Sequence, residues 1–312
     1  MQRLRETLLA EAGIPSSERP ERPAESSTKA AAAVPPKKEE PSPLENLQQA
    51  LIKAEREMPG SLMVSDLWQD LGELTFAGGD PVAAAITWLR ALDLREKLAP
   101  GTLREARTLH DLARVHAKAG RDLATASFLC RAAWALDRRG RPPAEDAEAR
   151  DVLGAEAAAY DRDCIAALAA THQIEEAFLA LERSHVRGAA LALSPELLRQ
   201  RRQIDEEREQ TLAQLGGLST SRDRDEVDVL DGHARELEAR REAIAGPLGL
   251  DRLRASLAPG TVLLAWSLGE DDGFLFAVHG TEGTGPGVEV FPLRGNAVRL
   301  RQRARAFAAS TG

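Results

Sequence analysis

The sequence predicts a mainly α-helical protein in which a repeated pair of antiparallel helices leads into a short α/β segment. Three observations support this fold class. Alanine, leucine, arginine and glutamate are abundant and aromatic residues make up only 4%, a composition that favours helix because these side chains lose little rotamer freedom there. Apolar residues recur with helical spacing from about residue 44 to residue 193. Residues 247–312 instead alternate short apolar runs with glycine and proline turns.

Composition and charge narrow the classes of function. The formal net charge is −8 and the sequence has no long basic run, so it lacks the stripe that a nucleic-acid-binding protein needs. It also has no window of 18 apolar residues, so we expect no membrane contact. Its two cysteines, Cys130 and Cys164, are too few for a disulfide framework, and we expect buried free thiols in a reducing compartment. These features predict a soluble, cytoplasmic protein.

Residues 1–43 predict a disordered leader. A short amphipathic helix fits residues 1–13, but residues 14–43 are rich in proline, serine and charge, with almost nothing to bury. The N-terminus has charges through its apolar part and no small-residue cleavage site, so it does not predict a signal peptide. We interpret this leader as a linker in preference to a binding motif.

Two helical pairs within residues 44–193 share one pattern of large and small residues, repeated after 41 or 42 positions. The matched positions are Trp68 and Leu109, Leu71 and Leu112, Gly72 and Ala113, Gly79 and Gly120, Ala84 and Ala126, Trp88 and Cys130, and Ala91 and Ala133. Antiparallel helices approach closely only where small residues face each other, which explains the small positions. The pattern resembles the tetratricopeptide repeat, at a period longer than the usual 34 residues.

A third helical pair follows, with its register left open between two alignments. Its predicted parts are a first helix around residues 155–170, a turn at residues 171–173, and a second helix that contains Ala177, Leu181 and Ser184. The alternative alignment uses Leu153-Gly154, which also lies 41 residues beyond Leu112-Ala113.

Residues 194–246 predict a charged helical hairpin. Its two arms, at residues 195–215 and 223–245, are joined by a turn rich in glycine and serine. The apolar seam of the second arm comprises Val227, Leu230, Ala234, Leu237 and Ile244. This near-heptad spacing suits a hairpin that packs on itself or on a neighbour, while the dense charges are expected to form a solvated face.

Residues 247–312 predict the beginning of an α/β domain. Apolar runs at residues 261–267, 273–279 and 288–293 indicate strands, and residues 296–310 have helical spacing. Three strands and one helix bury too little apolar surface to form a stable core of their own, so we expect an incomplete domain. Its exposed strand edges would allow self-association.

The order of these segments resembles the CHAT proteins, in which tetratricopeptide repeats precede a caspase-like cysteine peptidase domain. A last repeat helix with the sequence EAFLALERSHVRGA (residues 176–189) and a strand with the sequence LAPGTVLLAWS (residues 257–267) carry the resemblance. Family members often have Arg-Ala-Arg where this chain has Arg183-Ser184-His185-Val186-Arg187. The resemblance covers most of residues 60–310 and implies that residues 247–312 are the N-terminal part of a CHAT-like domain.

In that family a cysteine thiolate attacks the scissile carbonyl and a histidine acts as acid and base. The resemblance implies that both residues lie downstream of this chain, so no catalytic residue is assigned. His279-Gly280 ends a predicted strand as the family's histidine does, but no cysteine follows it, and we interpret it as an ordinary turn residue. An alternative interpretation makes the chain the regulatory portion of a peptidase, and a third makes it a structural adaptor whose last strands pair with another chain.

The preferred hypothesis is a catalytically silent scaffold that binds a protein or peptide in the groove of its repeats. The candidate groove residues lie on the first helix of each unit and are Gln69, Glu73, Arg107, His110, Arg114, Lys118 and Arg162. A cationic middle is expected to clamp a carboxylate or an acidic peptide, although a merely solvated helix face gives the same pattern. The scattered histidines predict no metal site, and the glycine-rich loop before the third strand is in the wrong context for a phosphate-binding cofactor.

Overall fold

A computed structural model describes residues 42–139, 147–189, 195–245, 250–268, 272–281 and 287–294. Within these ranges the chain has ten helices and one three-stranded antiparallel sheet, so the mainly helical class with a small sheet is confirmed. The predicted leader up to residue 41 and the predicted helix at residues 296–310 lie outside the described residues.

The ten described helices come first along the chain and the three strands come last. Their bounds are α1 Pro43–Glu57, α2 Leu62–Ala77, α3 Pro81–Leu98, α4 Leu103–Lys118, α5 Asp122–Arg139, α6 Ala147–Ala170, α7 Ile174–Ala189, α8 Pro195–Gly216, α9 Arg224–Ala245, α10 Leu250–Ser256, β1 Val262–Leu268, β2 Asp272–His279 and β3 Val288–Arg294. Helices α2 and α3, α4 and α5, and α6 and α7 pack as antiparallel pairs.

Side-chain caps begin the first four helices. Ser42, Ser61, Asp80 and Thr102 each accept a hydrogen bond from the backbone N–H three residues further on. Each such cap satisfies a donor that the helix itself leaves unpaired and contributes about 1 kcal/mol. The caps therefore fix the positions at which the repeat helices start.

One residue with positive φ lies in the turn of each helix pair. Gly79 has φ +90°, Gly120 has φ +66° and His172 has φ +59°. Glycine adopts this conformation without a Cβ penalty, and histidine is among the side chains that tolerate it. The third turn lies where the sequence predicted it, whereas α6 begins at Ala147, eight residues earlier than expected.

The close approach of α2 and α3 depends on Gly72. A Cβ atom at this position would lie 2.4 Å from Nε1 of Trp88, which is completely buried. The indole donates a hydrogen bond to the carbonyl oxygen of Gln69 at 3.2 Å, and its ring lies 5.5 Å from that of Phe76. The predicted role of the small residue at position 72 is therefore confirmed.

The two cysteines form a disulfide, so the prediction of free thiols is wrong. Cys130 on α5 is joined to Cys164 on α6, and both are buried against Phe178 of α7. The error has a physical cause, because the rotation of α6 against α5 decides whether the sulfurs meet, and the sequence left that register open. A disulfide is typical of oxidising compartments. The cysteines therefore no longer support a reducing compartment, and a cytoplasmic location stays a prediction.

Helices α8 and α9 form the predicted hairpin, and its apolar seam is partly confirmed. Val227, Ala234 and Leu237 are buried, whereas Leu230 and Ile244 are half-buried. The turn of the hairpin also contacts the loop between α1 and α2 through several hydrogen bonds. The hairpin therefore packs both on itself and on a neighbour.

The expectation that the hairpin charges are solvated is only partly correct. Arg208 and Arg241 are buried between the two arms. Arg208 Nε lies 3.2 Å from Glu238 Oε2, and Arg241 Nε lies 3.0 Å from Asp205 Oδ1. These ion pairs cross from one helix to the other, so they help to set the register of the hairpin.

The sheet has strand order β1-β2-β3, and one of its faces packs on the helices. In the register Ala265 pairs with Phe276, which pairs with Val290. The ring of Phe276 lies 6.1 Å from that of Phe178 on α7. On the opposite face Trp266 is 57% exposed. The sheet thus shares a core with the last helix pair, and self-association through it stays a prediction.

Candidate functional site

The first helices of the three pairs share one groove. It has a volume of about 510 Å³ and lies between α2, α3, α4 and α6. Its walls are formed by Asp66, Gln69, Asp70 and Glu73 of α2, Arg95 of α3, Arg104, Arg107, His110 and Asp111 of α4, and Tyr160 of α6. Residues three and four apart on a helix share a face, and that spacing brings the α2 and α4 residues to the groove.

A buried guanidinium forms the floor of the groove. Arg95 is 3% exposed; its Nη2 donates to Asp66 Oδ1 at 2.9 Å, and its Nη1 donates to Gln69 Oε1 at 3.1 Å. Further acceptors are the Thr108 hydroxyl and the Arg104 carbonyl oxygen. Burial lowers the pKa of Arg95 while the hydrogen bond that it donates to Asp66 opposes that shift, and an arginine remains charged in proteins.

Gln69 joins this floor to the acidic side of the groove. Its side chain is buried, and Oε1 accepts from Arg95 and Thr108. Its Nε2 donates to Asp111 Oδ2 at 2.8 Å and to Glu73 Oε1 at 3.2 Å. All the hydrogen-bonding atoms of the amide are thus used, so Gln69 positions its neighbours and holds α2, α3 and α4 together.

The other two arginines of the groove also have carboxylate partners. Arg104 Nη1 lies 2.6 Å from Asp66 Oδ2, so one aspartate serves two guanidinium groups. Arg107 Nη2 lies 2.8 Å from Glu156 Oε1, and this hydrogen bond raises the pKa of Arg107. Arg107, which was expected to be part of a cationic middle, is therefore paired with an acid.

Aromatic rings close one side of the groove. The ring of Tyr160 lies 5.3 Å from that of His110, whose Nε2 is 3.7 Å from Asp163 Oδ2. Burial raises the pKa of Tyr160 to about 12, and the carboxylate of Glu156 adds to the rise. The phenol is therefore neutral across the physiological range and presents a polar hydroxyl on an apolar ring.

Four of the seven predicted groove residues line the groove, namely Gln69, Glu73, Arg107 and His110. Arg114 and Lys118 instead lie over the ring of Phe76, at 4.6 and 4.2 Å from its centroid. Arg162 is half-buried on α6 and is not among the lining residues. The structure therefore brings together the predicted residues of α2 and of the middle of α4. Arg114 and Lys118, at the end of α4, and Arg162 on α6 lie apart from them.

Six lining residues were not predicted, namely Asp66, Asp70, Arg95, Arg104, Asp111 and Tyr160. Those on α2 and α4 lie three or four residues from Gln69, Glu73 or Arg107, so helical spacing from these predicted residues could have found them. Arg95 lies on the second helix of its pair, where side chains are expected to face away from the groove. The long side chain of Arg95 and its hydrogen bonds to buried Gln69 and Thr108 place the guanidinium at the floor of the groove.

Among the described residues, a histidine and a free thiol such as a CHAT-type peptidase uses are not brought together. His279 ends β2, and its Nε2 lies 3.6 Å from Glu289 Oε2. Both cysteines of the chain are in the disulfide, so His279 has no thiol to activate. Among the described residues, no group of three or more histidine, cysteine, aspartate and glutamate side chains is arranged to hold a metal ion.

No protein-family model matches this chain, and no curated protein matches it significantly. The resemblance to tetratricopeptide and CHAT proteins therefore stays a prediction from the residues. Among the helices that the structure describes, none combines the length and the apolar character needed to cross a membrane.

Proposed function

We propose that this chain is a peptide-binding helical-repeat scaffold of the CHAT type, and that its ligand lies in the groove along α2, α4 and α6. The observation that carries the proposal is the groove itself, about 510 Å³ across the first helices of consecutive pairs. That volume is typical of ligand sites. A groove built from several helices also suits an extended polypeptide, which makes many small contacts along its length.

The rigidity of the groove supports this function. Its floor is held by Arg95 and Gln69, both buried and hydrogen-bonded to several neighbours. Side chains that are fixed before the ligand arrives lose little conformational entropy on binding. Asp70 and Glu73 are exposed above this floor, where they can contact a ligand directly.

A second candidate function is the regulatory portion of a caspase-like cysteine peptidase. The observation in its favour is the shared core between α7 and the sheet, where Phe178 and Phe276 lie 6.1 Å apart. A ligand that moved the repeats would act on the sheet through this contact. The sequence that follows residue 312 in the gene tests it, because a strand-ending histidine with a later cysteine would favour the peptidase and a stop codon would contradict it.

The test of the proposed function is selection of randomised 12-residue peptides on the full chain, followed by affinity measurement on two variants. Asp70→Trp places an indole in the groove at a residue that forms no hydrogen bond or ion pair with other described residues. Asp93→Trp makes the same change on α3 outside the groove, where Asp93 pairs with Lys97. We expect the first variant alone to lose binding, and equal binding by both variants would refute a groove ligand.

A further inference from the structure

The groove has an unbalanced arrangement of charges once its ion pairs are counted. Its three arginines are each within 3 Å of a carboxylate oxygen, and Asp66 serves two of them. Asp70, Glu73 and Asp111 also line the groove. Asp111 pairs with Arg114 from outside the groove, whereas Asp70 and Glu73 form no ion pair with a described residue. These two carboxylates outnumber the one surplus positive charge of the two arginines that share Asp66, so the net charge is negative.

Glu73 and Asp111 are held close together by a neutral group. One nitrogen, Gln69 Nε2, donates to an oxygen of each carboxylate. Like charges that share a single amide donor repel each other, and a cation placed between them removes that repulsion. Arg114 reaches Asp111 from outside the groove at 3.0 Å, which leaves the inner oxygens and the nearby Asp70 for a ligand.

A second observation points to a ligand with hydrogen-bond acceptors. Arg95 lines the groove and is 3% exposed, yet its Nε has no hydrogen-bond partner among the described residues. A buried donor without an acceptor costs about 1–3 kcal/mol. A polypeptide main chain offers carbonyl acceptors beside a charged side chain, whereas a bare cation offers none.

We propose that the groove selects a polypeptide segment that carries an arginine or lysine, whose cationic group is received by Asp70, Glu73 and Asp111. The inference rests on the proposed function and names its ligand class. It also reverses the charge that the sequence predicted for the ligand, an acidic peptide. The ring of Tyr160 also lines the groove, where it can stack on the planar guanidinium of an arginine.

Tyr160 allows a direct test because it is the only tyrosine in the chain. The full chain labelled with 3-fluorotyrosine gives a single ¹⁹F signal from within the groove. The probes are N-acetyl-arginine methylamide and N-acetyl-glutamate methylamide, titrated to the same concentration, with calcium chloride as a third titrant. We expect the arginine probe to shift the signal in a saturable way and the glutamate probe to leave it in place.

Two double variants test whether the carboxylates of the groove bind the arginine probe. Asp70→Asn with Glu73→Gln should raise the half-saturating concentration of the arginine probe about tenfold, which corresponds to about 1.4 kcal/mol. Asp93→Asn with Glu55→Gln removes two acids outside the groove, of which Asp93 is half-buried and Glu55 exposed, and should leave the half-saturating concentration unchanged. Equal losses in the two double variants would mean that the probe senses only net charge, which overturns the proposal.

The remaining outcomes separate this inference from the proposed function. A saturable shift with the glutamate probe overturns the choice of a basic ligand but leaves a peptide groove in place. An equal shift with calcium overturns it in favour of a simple cation site. If neither amino-acid probe shifts the signal while selected peptides still bind and Asp70→Trp abolishes their binding, the groove binds polypeptides by other groups and only this inference fails. If selected peptides also fail to bind, both fail.

Discussion

Arg95 on α3 and Asp66 on α2 form an ion pair, with 2.9 Å between Nη2 and Oδ1, at the floor of the groove. Arg95 is buried whereas the side chain of Asp66 is 39% exposed, and removing the buried guanidinium leaves the polar groups bonded to it without compensation. We therefore expect Arg95→Ala to lower the free energy of unfolding by about 3 kcal/mol, measured by urea denaturation followed by circular dichroism.

Arg104 provides the matched control, because it pairs with the same aspartate but its side chain is 59% exposed. Exposed ion pairs contribute at most about 1 kcal/mol, so Arg104→Ala should change the unfolding free energy far less. Equal effects of the two substitutions would contradict the role given to burial of Arg95.

Gly72 and Gly154 should respond to alanine in opposite directions. A Cβ at position 72 would lie 2.4 Å from Trp88 Nε1, whereas a Cβ at position 154 on α6 has no neighbour within 4 Å. Crowding in the core should cost Gly72→Ala about 1–3 kcal/mol, while Gly154→Ala should gain about 0.5–1 kcal/mol of helix stability. Thermal unfolding of both variants measures the difference, and a neutral or stabilising Gly72→Ala would refute the close approach of α2 and α3.

The disulfide between Cys130 and Cys164 should survive purification without reductant. It closes a loop with a sequence separation of 34 residues, for which the entropy lost by the unfolded chain corresponds to about 3–4 kcal/mol. Peptide mapping under non-reducing conditions should recover the cross-linked pair, and Cys130→Ala with Cys164→Ala should lower stability by about that amount. Free thiols titrated in denaturant without reductant would show that the bond is absent, since both cysteines are buried in the native protein.

Tyr160 should ionise only at strongly alkaline pH in the folded protein. Its pKa is raised to about 12, against about 10 for an unfolded chain. The folded state thus keeps a proton that the unfolded state loses, so this contribution to stability is complete below pH 10 and is lost as pH rises towards about 12. Absorbance at 295 nm follows the transition without interference from other tyrosines, and a native midpoint near pH 10 would contradict burial of the phenol.

Much of the helical fold could be predicted because it depends on local patterns. The small residue at position 72 and the turn glycines at positions 79 and 120 placed the first two helix pairs. The third pair was less well defined, since His172 takes the place of a turn glycine and α6 starts earlier than its apolar pattern suggested. The strands were found because short apolar runs between glycine turns have few alternative structures.

What the sequence could not provide was the rotation of one helix against another. That rotation brings Cys130 to Cys164 and carries Arg95 from the second helix of a pair to the floor of the groove. It also decides which charges meet. The sequence predicts Arg107 as part of a cationic surface because its carboxylate partner, Glu156, lies on another helix.

Hydrogen–deuterium exchange of the full chain, with and without a selected peptide, tests the central claim most directly. A ligand in the groove should protect amides of α2 and α4 and those around Tyr160, and the Asp70→Trp variant should remove that protection while Asp93→Trp retains it. Protection confined to the α8–α9 hairpin or to the sheet, with the repeat helices unchanged, would contradict a binding role for this groove.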